Sequence, residues 1–263
     1  MTATAHGPWE PWRMESDTVI ARRIGPLTLW MEHRDDEFHL ASQRGDEEGD
    51  ETVPEKPEDL DWRRWICGTG APRVVLEPRL PDRPVIVRPA MPVTILPGRS
   101  VDLFVSLPVR VAVRLMAEPG GTREDICEEP TVLLSNSWFG LPVQGELCYA
   151  LKTRARRRLE DLRTAAHLAV CPLTVENAGP SALAFERLSI PVASLRVHAG
   201  AHHLWTSRGV LHYRGEETVP AIAFETSPPA LDHAGDVLAE PRTVTKQNLA
   251  RRVLGSVRAV TRL

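Results

Sequence analysis

Few side chains in this sequence combine the type and the spacing that catalysis requires. The four cysteines are Cys67, Cys127, Cys148 and Cys171, and they form no Cys-x-x-Cys pair of the kind found in zinc or thioredoxin-type sites. Cys148 and Cys171 could meet in space, but no histidine lies at a spacing that would activate either thiol as a nucleophile. We therefore expect free, mostly buried cysteines, and neither a metal site nor a catalytic residue.

Each of two pairs of polar residues could have a role in catalysis or metal binding, or only a structural role. His202 and His203 could ligate a metal, but adjacent residues of a strand point to opposite faces, so a solvated loop is favoured. Glu146 and Tyr149 could form an acid–base pair, although a strand-end carboxylate beside a core aromatic is the favoured interpretation. The sequence has no Gly-rich phosphate loop and no Gly-x-Ser-x-Gly elbow. It therefore predicts no metal and no cofactor.

The most distinctive motif is Ser137-Trp138-Phe139-Gly140, which is followed five residues later by Gly145. Its two aromatic residues could plug the core beneath a turn, which is the favoured interpretation. They could instead form an exposed anchor for a partner, because Trp is enriched at binding hot spots. If the motif is a site, the nearest polar side chains complete it. The predicted binding residues are then Trp138, Phe139, Glu146, Tyr149, Lys152 and Arg154.

The elements that must position this motif are short strands separated by turns. The chain contains 23 prolines, scattered between apolar runs, and proline is tolerated at strand ends but not inside helices. Apolar and charged residues alternate through most of Val109–Leu115, as in a half-buried strand. Gly25-Pro26, Pro97-Gly98 and Asn177-Ala178-Gly179-Pro180 are turn sequences between apolar runs. The pattern predicts a mostly β fold.

The spacing of these strands is typical of one or two antiparallel, immunoglobulin-like β-sandwich units. The predicted division is N-terminal strands over 1–70, a first unit over 71–145, a second unit over 146–235 and a C-terminal helix within 236–263. One stretch stays open. In 150–167 the apolar residues recur at helical steps, whereas Glu146–Leu151 reads as a strand that could continue to Thr153.

Charge is distributed unevenly along the chain. Residues 35–61 carry twelve acidic side chains against only Arg44 and Lys56, and we expect the acidic stretch 45–57 to be a mobile loop. After Glu240 the chain has basic residues and no acidic ones. The pattern there predicts an amphipathic helix from about Lys246. Its basic face carries Arg251, Arg258 and Arg262.

This C-terminal helix has two interpretations. Its apolar face could dock on the sandwich with the arginines in water, which is favoured. It could instead lie on an anionic membrane surface or contact a membrane-bound protein partner.

Composition limits the setting and the partners. The chain is 42% hydrophobic and 25% charged, as in an ordinary globular protein. It has no N-terminal apolar signal and no run long enough to span a bilayer, so we expect a cytosolic protein without a transmembrane segment. Basic and aromatic residues are not interleaved, so nucleic acid is not an expected ligand.

Four stretches together resemble a known family. They are Pro84–Leu107, Ser135–Ala150, Phe185–Pro191 and Leu204–Thr206, and they span roughly residues 84–206. They resemble the uncharacterised domain-of-unknown-function family numbered 432. The resemblance implies no activity, because none has been assigned to the family. Some members are encoded near small-conductance mechanosensitive channels, which implies a membrane-associated partner.

The leading functional hypothesis is a non-enzymatic binding or scaffold module, because the chain shows no motif for a nucleophile, a metal or a phosphate. One alternative is a hydrolase or carbohydrate-active enzyme that uses scattered carboxylates on a sandwich scaffold. Another is a cytosolic accessory protein of a membrane channel.

Overall fold

The computed structural model describes residues 8–46, 55–68, 70–116, 123–215 and 221–243. These residues are mostly in strands, and the helical structure among them is limited to two 3-10 turns. The mostly β class predicted from the sequence is therefore confirmed. By internal contacts the chain separates into two units, one formed by Met1–Arg79 with Pro108–Leu133 and the other by Leu80–Leu107 with Leu134–Leu263. The boundaries proposed from the sequence stay a prediction.

The first unit contains eight of the strands, numbered in chain order. They are β1 (Trp12–Arg13), β2 (Val19–Ile24), β3 (Leu27–Arg34), β4 (Glu37–Arg44), β5 (Arg63–Ile66), β6 (Arg73–Arg79), β10 (Arg110–Met116) and β11 (Arg123–Pro130). They form two antiparallel sheets, in the orders β1-β6-β10-β11 and β2-β3-β4-β5. Side chains of both sheets share one hydrophobic core cluster.

Strand β10 shows why this unit folds as it does. Val111, Val113 and Leu115 are buried in the core cluster, as the alternating sequence predicts. The intervening Arg114 pairs with the buried Glu77. Carboxylates thus offset the cost of placing guanidinium groups at the sheet surface.

The second unit contains the remaining strands and both 3-10 turns. The strands are β7 (Val85–Val87), β8 (Val93–Ile95), β9 (Arg99–Pro108), β12 (Ser135–Phe139), β13 (Glu146–Ala150), β14 (Leu168–Asn177), β15 (Leu183–Phe185), β16 (Leu188–Ile190), β17 (Val197–Ala199), β18 (Leu204–Thr206), β19 (Gly209–Tyr213), β20 (Ala221–Phe224) and β21 (Val237–Ala239). The turns lie at Leu159–Asp161 and Val192–Ser194.

Three sheets organise the second unit. One has the order β20-β19-β14-β18-β17-β21, with β9 also paired to β14. A second has the order β12-β13-β7-β16, and β8 pairs with β15. Three pairings in these sheets are parallel: β14 runs parallel to β18 and to β19, and β13 runs parallel to β7. These pairings do not establish an immunoglobulin-like arrangement.

The turn at Asn177 is confirmed, and its chemistry explains the sequence there. The buried Asn177 amide donates to the carbonyls of Ile95 and Ser181, at 2.8 Å each, and its Oδ1 accepts the Gly179 N–H at 3.0 Å. A buried amide with all these partners is stabilised rather than penalised. The same residue's carbonyl accepts the N–H of Gly98, so Asn177 joins two of the predicted turns.

The segment 150–167 is neither the helix nor the long strand that its sequence left open. Strand β13 ends at Ala150, and Ala155 is then held between two backbone hydrogen bonds, to the Arg88 carbonyl and from the Ala90 N–H, each 2.9 Å. Ala155 is buried, whereas Leu159 and Leu162 are only half-buried. Tertiary pairing of the backbone has overridden the local helical pattern.

Two sequence predictions concern residues outside the described part of the chain. The C-terminal helix, with Arg251, Arg258 and Arg262, falls within residues 244–263. Most of the acidic stretch 45–57 falls within residues 47–54.

Candidate functional site

The distinctive motif lies on the hairpin formed by β12 and β13. The two strands are antiparallel, with Trp138 opposite Leu147 and Phe139 opposite Glu146. Both glycines of the turn are required by its geometry. A Cβ at Gly145 would lie 2.3 Å from the Trp138 indole nitrogen, and Gly140 has a φ of +107° that other residues rarely adopt. The hairpin therefore presents two faces whose side chains are fixed by alternation.

The inner face of the hairpin is part of the core. Phe139 is 2% exposed and packs with Ile86 and Cys148. The Arg187 guanidinium lies 5.4 Å from the Phe139 ring centroid, within the range of a cation–π interaction. The Ser189 hydroxyl donates to Glu146 Oε1 at 3.0 Å. The Glu146 side chain therefore lies on the inner face of the hairpin, where Ser189 holds it.

The outer face is open to solvent. Trp138 is 49% exposed and Leu147 is 43% exposed, and the indole N–H of Trp138 donates to the Leu141 carbonyl at 3.1 Å. Further along this face the Tyr149 hydroxyl donates to Asp82 at 3.1 Å. The Arg83 guanidinium lies 5.4 Å from the centre of the Tyr149 ring. Tyr149 and Glu146 are thus on opposite faces and do not form an acid–base pair.

A cleft of about 210 Å³ opens on the inner side of the hairpin. Four of its lining residues are basic, and none carries a carboxylate. The full lining is Ile86, Arg88, Ser137, Ala150, Leu151, Lys152, Thr153, Arg154 and Arg187. We call this the cationic cleft. Arg88, Lys152 and Arg154 are exposed and Arg187 is half-buried, so the positive charge is accessible to a dissolved ligand.

The structure divides the six binding residues that the sequence proposed. Lys152 and Arg154 lie in the cationic cleft. Trp138 and Tyr149 belong to the outer face, Phe139 to the core, and Glu146 bonds to Ser189. The sequence also missed Arg88 and Arg187, which follow or separate short buried strands far from the motif. The only local sequence signal for Arg88 and Arg187 was a basic residue next to a short apolar strand. The binding role of the six residues stays a prediction.

The adjacent histidines converge on one carboxylate instead of pointing to opposite faces. They lie in the turn before β18. Asp232 accepts the backbone N–H groups of His202 and His203 at 2.9 Å each and the indole N–H of Trp205 at 3.0 Å. Its carboxylate also lies 2.7 Å from His202 Nδ1 and 3.3 Å from His203 Nδ1. Within the described part of the chain, no three His, Cys, Asp or Glu side chains are arranged to hold a metal.

These contacts determine the acidity of Asp232. Burial by itself raises the pKa of this carboxyl, but the hydrogen bonds from His202, Trp205 and His203 outweigh it. The net result is a pKa well below the usual range, because each donor stabilises the charged form. Asp232 also has a φ of +52°. Asp is one of the residues that adopt this left-handed conformation most readily, and its hydrogen bonds stabilise the turn.

The thiols are not poised for chemistry. Burial raises the pKa of Cys127 and of Cys171 to about 11, and it also raises the pKa of Cys67 and Cys148. A thiol with a raised pKa is largely protonated at neutral pH and is a weak nucleophile. All four cysteines are free.

The two aromatic residues of the motif are expected to respond differently to the same substitution. Phe139→Ser removes a buried ring and leaves a cavity, and should lower the free energy of unfolding by about 3–5 kcal/mol. Trp138→Ser removes a half-exposed ring and should cost less than about 1 kcal/mol. Urea unfolding of the two variants measures the difference. Equal losses would contradict the assignment of the two rings to opposite faces.

Asp232 is expected to stabilise the fold in a pH-dependent way. Asp232→Ala leaves the indole and two backbone N–H groups unpaired, and should cost about 1–3 kcal/mol at neutral pH. Asp232→Asn retains an acceptor and tolerates a positive φ, so it should cost less.

The pH dependence follows from the lowered pKa. The carboxylate's contribution is present above the unfolded pKa of about 4 and is lost as the pH falls through the lower folded value. The difference in unfolding free energy between wild type and Asp232→Asn should therefore narrow between neutral pH and about pH 3. A difference that does not change with pH would show that the charge of Asp232 contributes nothing.

Comparison with known proteins identifies a family. A family model described as a protein of unknown function, DUF432, matches residues 8–257. Searches of the curated proteins and of the solved structures found no match. No helix in the described ranges has the length and the apolar character needed to cross a membrane. Because the match covers nearly the whole chain and includes both the hairpin and the cationic cleft, the protein belongs to the DUF432 family.

Proposed function

We propose that the protein is a non-enzymatic binding module that takes an anionic ligand in the cationic cleft. The observation that carries this proposal is the convergence of Arg88, Lys152, Arg154 and Arg187 on one cavity without a lining carboxylate. A dissolved anion is attracted to this positive charge, and hydrogen bonds from charged donors are the stronger kind.

The composition of the cleft narrows the ligand class. Guanidinium groups bind planar or tetrahedral oxyanions through paired N–H donors, and three of the four cations are arginines. The Thr153 hydroxyl already donates to the Ser106 carbonyl at 2.9 Å, so the charged groups and Ser137 are the principal side-chain donors to a ligand. Ile86, Ala150 and Leu151 give the cleft an apolar part. A small phosphorylated or polycarboxylate molecule fits this combination.

Binding of pyrophosphate tests the proposal. Replacing Arg88 and Arg154 together with Ala should weaken pyrophosphate binding about a hundredfold or more, because each lost charge-assisted hydrogen bond contributes roughly 1.5–3 kcal/mol. Arg157→Ala is the matched control, because Arg157 is exposed and lies on the same segment but not in the cleft. Titration calorimetry supplies the dissociation constants. The proposal fails if wild type does not bind pyrophosphate or if the control loses as much affinity as the double variant.

The cellular compartment and the type of β fold are part of the same proposal. Four free thiols support a reducing, cytosolic compartment. The two antiparallel sheets of the first unit, which share a core cluster, support a sandwich of immunoglobulin-like type.

A hydrolase remains the second candidate, and the one observation in its favour concerns a hydroxyl nucleophile and not the scattered carboxylates expected from the sequence. The Thr164 hydroxyl lies 2.9 Å from His203 Nε2, and His203 Nδ1 lies 3.3 Å from Asp232. A hydroxyl, an imidazole and a carboxylate in this order can generate a nucleophile. Against this, Asp232 already accepts hydrogen bonds from two backbone N–H groups and an indole. These bonds favour a structural role, in which Asp232 stabilises a turn.

A covalent probe separates the two interpretations. A fluorophosphonate labels activated hydroxyl nucleophiles, and the binding-module proposal expects no labelling of wild type or of Thr164→Val. Labelling of wild type that disappears in Thr164→Val would favour the hydrolase. Thermal unfolding of the variant checks that it is folded, because Thr164 is exposed and its replacement should be nearly neutral.

A further inference from the structure

We propose that the tip of the β12–β13 hairpin docks the protein onto the surface of an anionic lipid bilayer, where the cationic cleft receives headgroup phosphates. The tip is defined by Trp138, Leu141, Val143 and Leu147. The part of this inference that concerns the headgroups rests on the proposed function. The part that concerns the apolar tip stands on separate observations.

The first observation is the clustering of exposed apolar side chains. Ten large hydrophobic residues are exposed in the described part of the chain, and four of them belong to this single hairpin. Leu141 is 60% exposed and Val143 is 93% exposed. Single exposed apolar residues are normal on protein surfaces, but a contiguous group marks an interaction site.

The second observation is that hydrogen bonds fix the conformation of the tip. Trp138 and Leu147 are direct cross-strand neighbours, and the indole N–H of Trp138 donates to the Leu141 carbonyl. The Gln144 N–H donates to the same carbonyl at 3.1 Å, which closes the turn. These bonds fix the backbone of the turn, on which Leu141 and Val143 are exposed. Little ordering entropy is then lost when they bind.

The third observation is the positive charge on the inner face of the same hairpin, towards the end away from the turn. Ser137 and Ala150 of the same hairpin line the cationic cleft, and the segment that follows β13 is strongly basic. Residues 152–163 contain six basic side chains and only Glu160 and Asp161 as acidic ones. Basic groups are attracted to an anionic leaflet, while indole rings favour the boundary between headgroups and hydrocarbon.

The shape of the tip favours a bilayer over a protein partner. Val143 is almost fully exposed, and strand β12 lies at the edge of its sheet, so the tip can be approached from several sides. A bilayer interface surrounds such a projection without needing a matching pocket. A protein partner would need a preformed groove together with an acidic rim.

Vesicle flotation with the full-length chain tests the inference. We expect wild type to float with phosphatidylcholine vesicles that contain phosphatidylserine, to remain at the bottom with phosphatidylcholine alone, and to be released as ionic strength rises. Leu141→Asp with Val143→Asp should reduce the bound fraction at least tenfold. The matched control is Ile66→Asp with Leu96→Asp, which adds the same charge at exposed apolar positions elsewhere and should float as wild type does.

The outcomes separate this inference from the proposed function. The tip variant leaves the cationic cleft intact, so it should bind pyrophosphate like wild type. Pyrophosphate binding without flotation of wild type overturns the bilayer inference and leaves the proposed function standing. Equal flotation of wild type and the tip variant also overturns it, because another segment, such as the predicted basic C-terminal helix, would then make the contact. Flotation without pyrophosphate binding overturns the headgroup role of the cleft alone.

Discussion

The burial of the Phe139 ring against Ile86 and Cys148 is the contact on which the arrangement of the hairpin depends. Because side chains alternate along a strand, placing Phe139 inward forces Trp138 outward. The antiparallel register then determines which side chains of β13 face inward, so that Leu147 is exposed and Cys148 is buried. A shift by one residue would bury the exposed tryptophan and expose the phenylalanine.

The same packing creates the cationic cleft. The parallel pairing of β13 with β7 places Ala150 beside Ile86; Arg88 follows β7 directly, and a basic segment follows β13. Arg88 and Lys152 are thereby brought together from positions more than sixty residues apart. Ala155 then fixes the basic segment through its backbone bonds to Arg88 and Ala90. Backbone pairing thus brings basic residues from distant parts of the chain to the lining of one cavity.

Two different uses of polar groups coexist in the second unit. At Asp232 and at Asn177 the polar atoms are bonded to backbone groups, so their role is to fasten turns. In the cationic cleft the charged groups face a cavity. This contrast is why we propose binding for the cleft and a stabilising role for the Asp232 cluster, although the latter contains the residue types more often linked to catalysis.

Local sequence determined the strands and turns, because alternation and turn chemistry act between near neighbours. The core side of β10 and the turns at Gly98 and Asn177 follow from such patterns, and so does the choice of the Trp138-Phe139 segment. Tertiary structure decided which of those two rings is buried. It also recruited Arg88 and Arg187 to the cleft, brought Asp232 to the two histidines and replaced the helical pattern of 150–167 with backbone bridges. These outcomes depend on contacts between residues far apart in the chain, whose geometry no local period encodes.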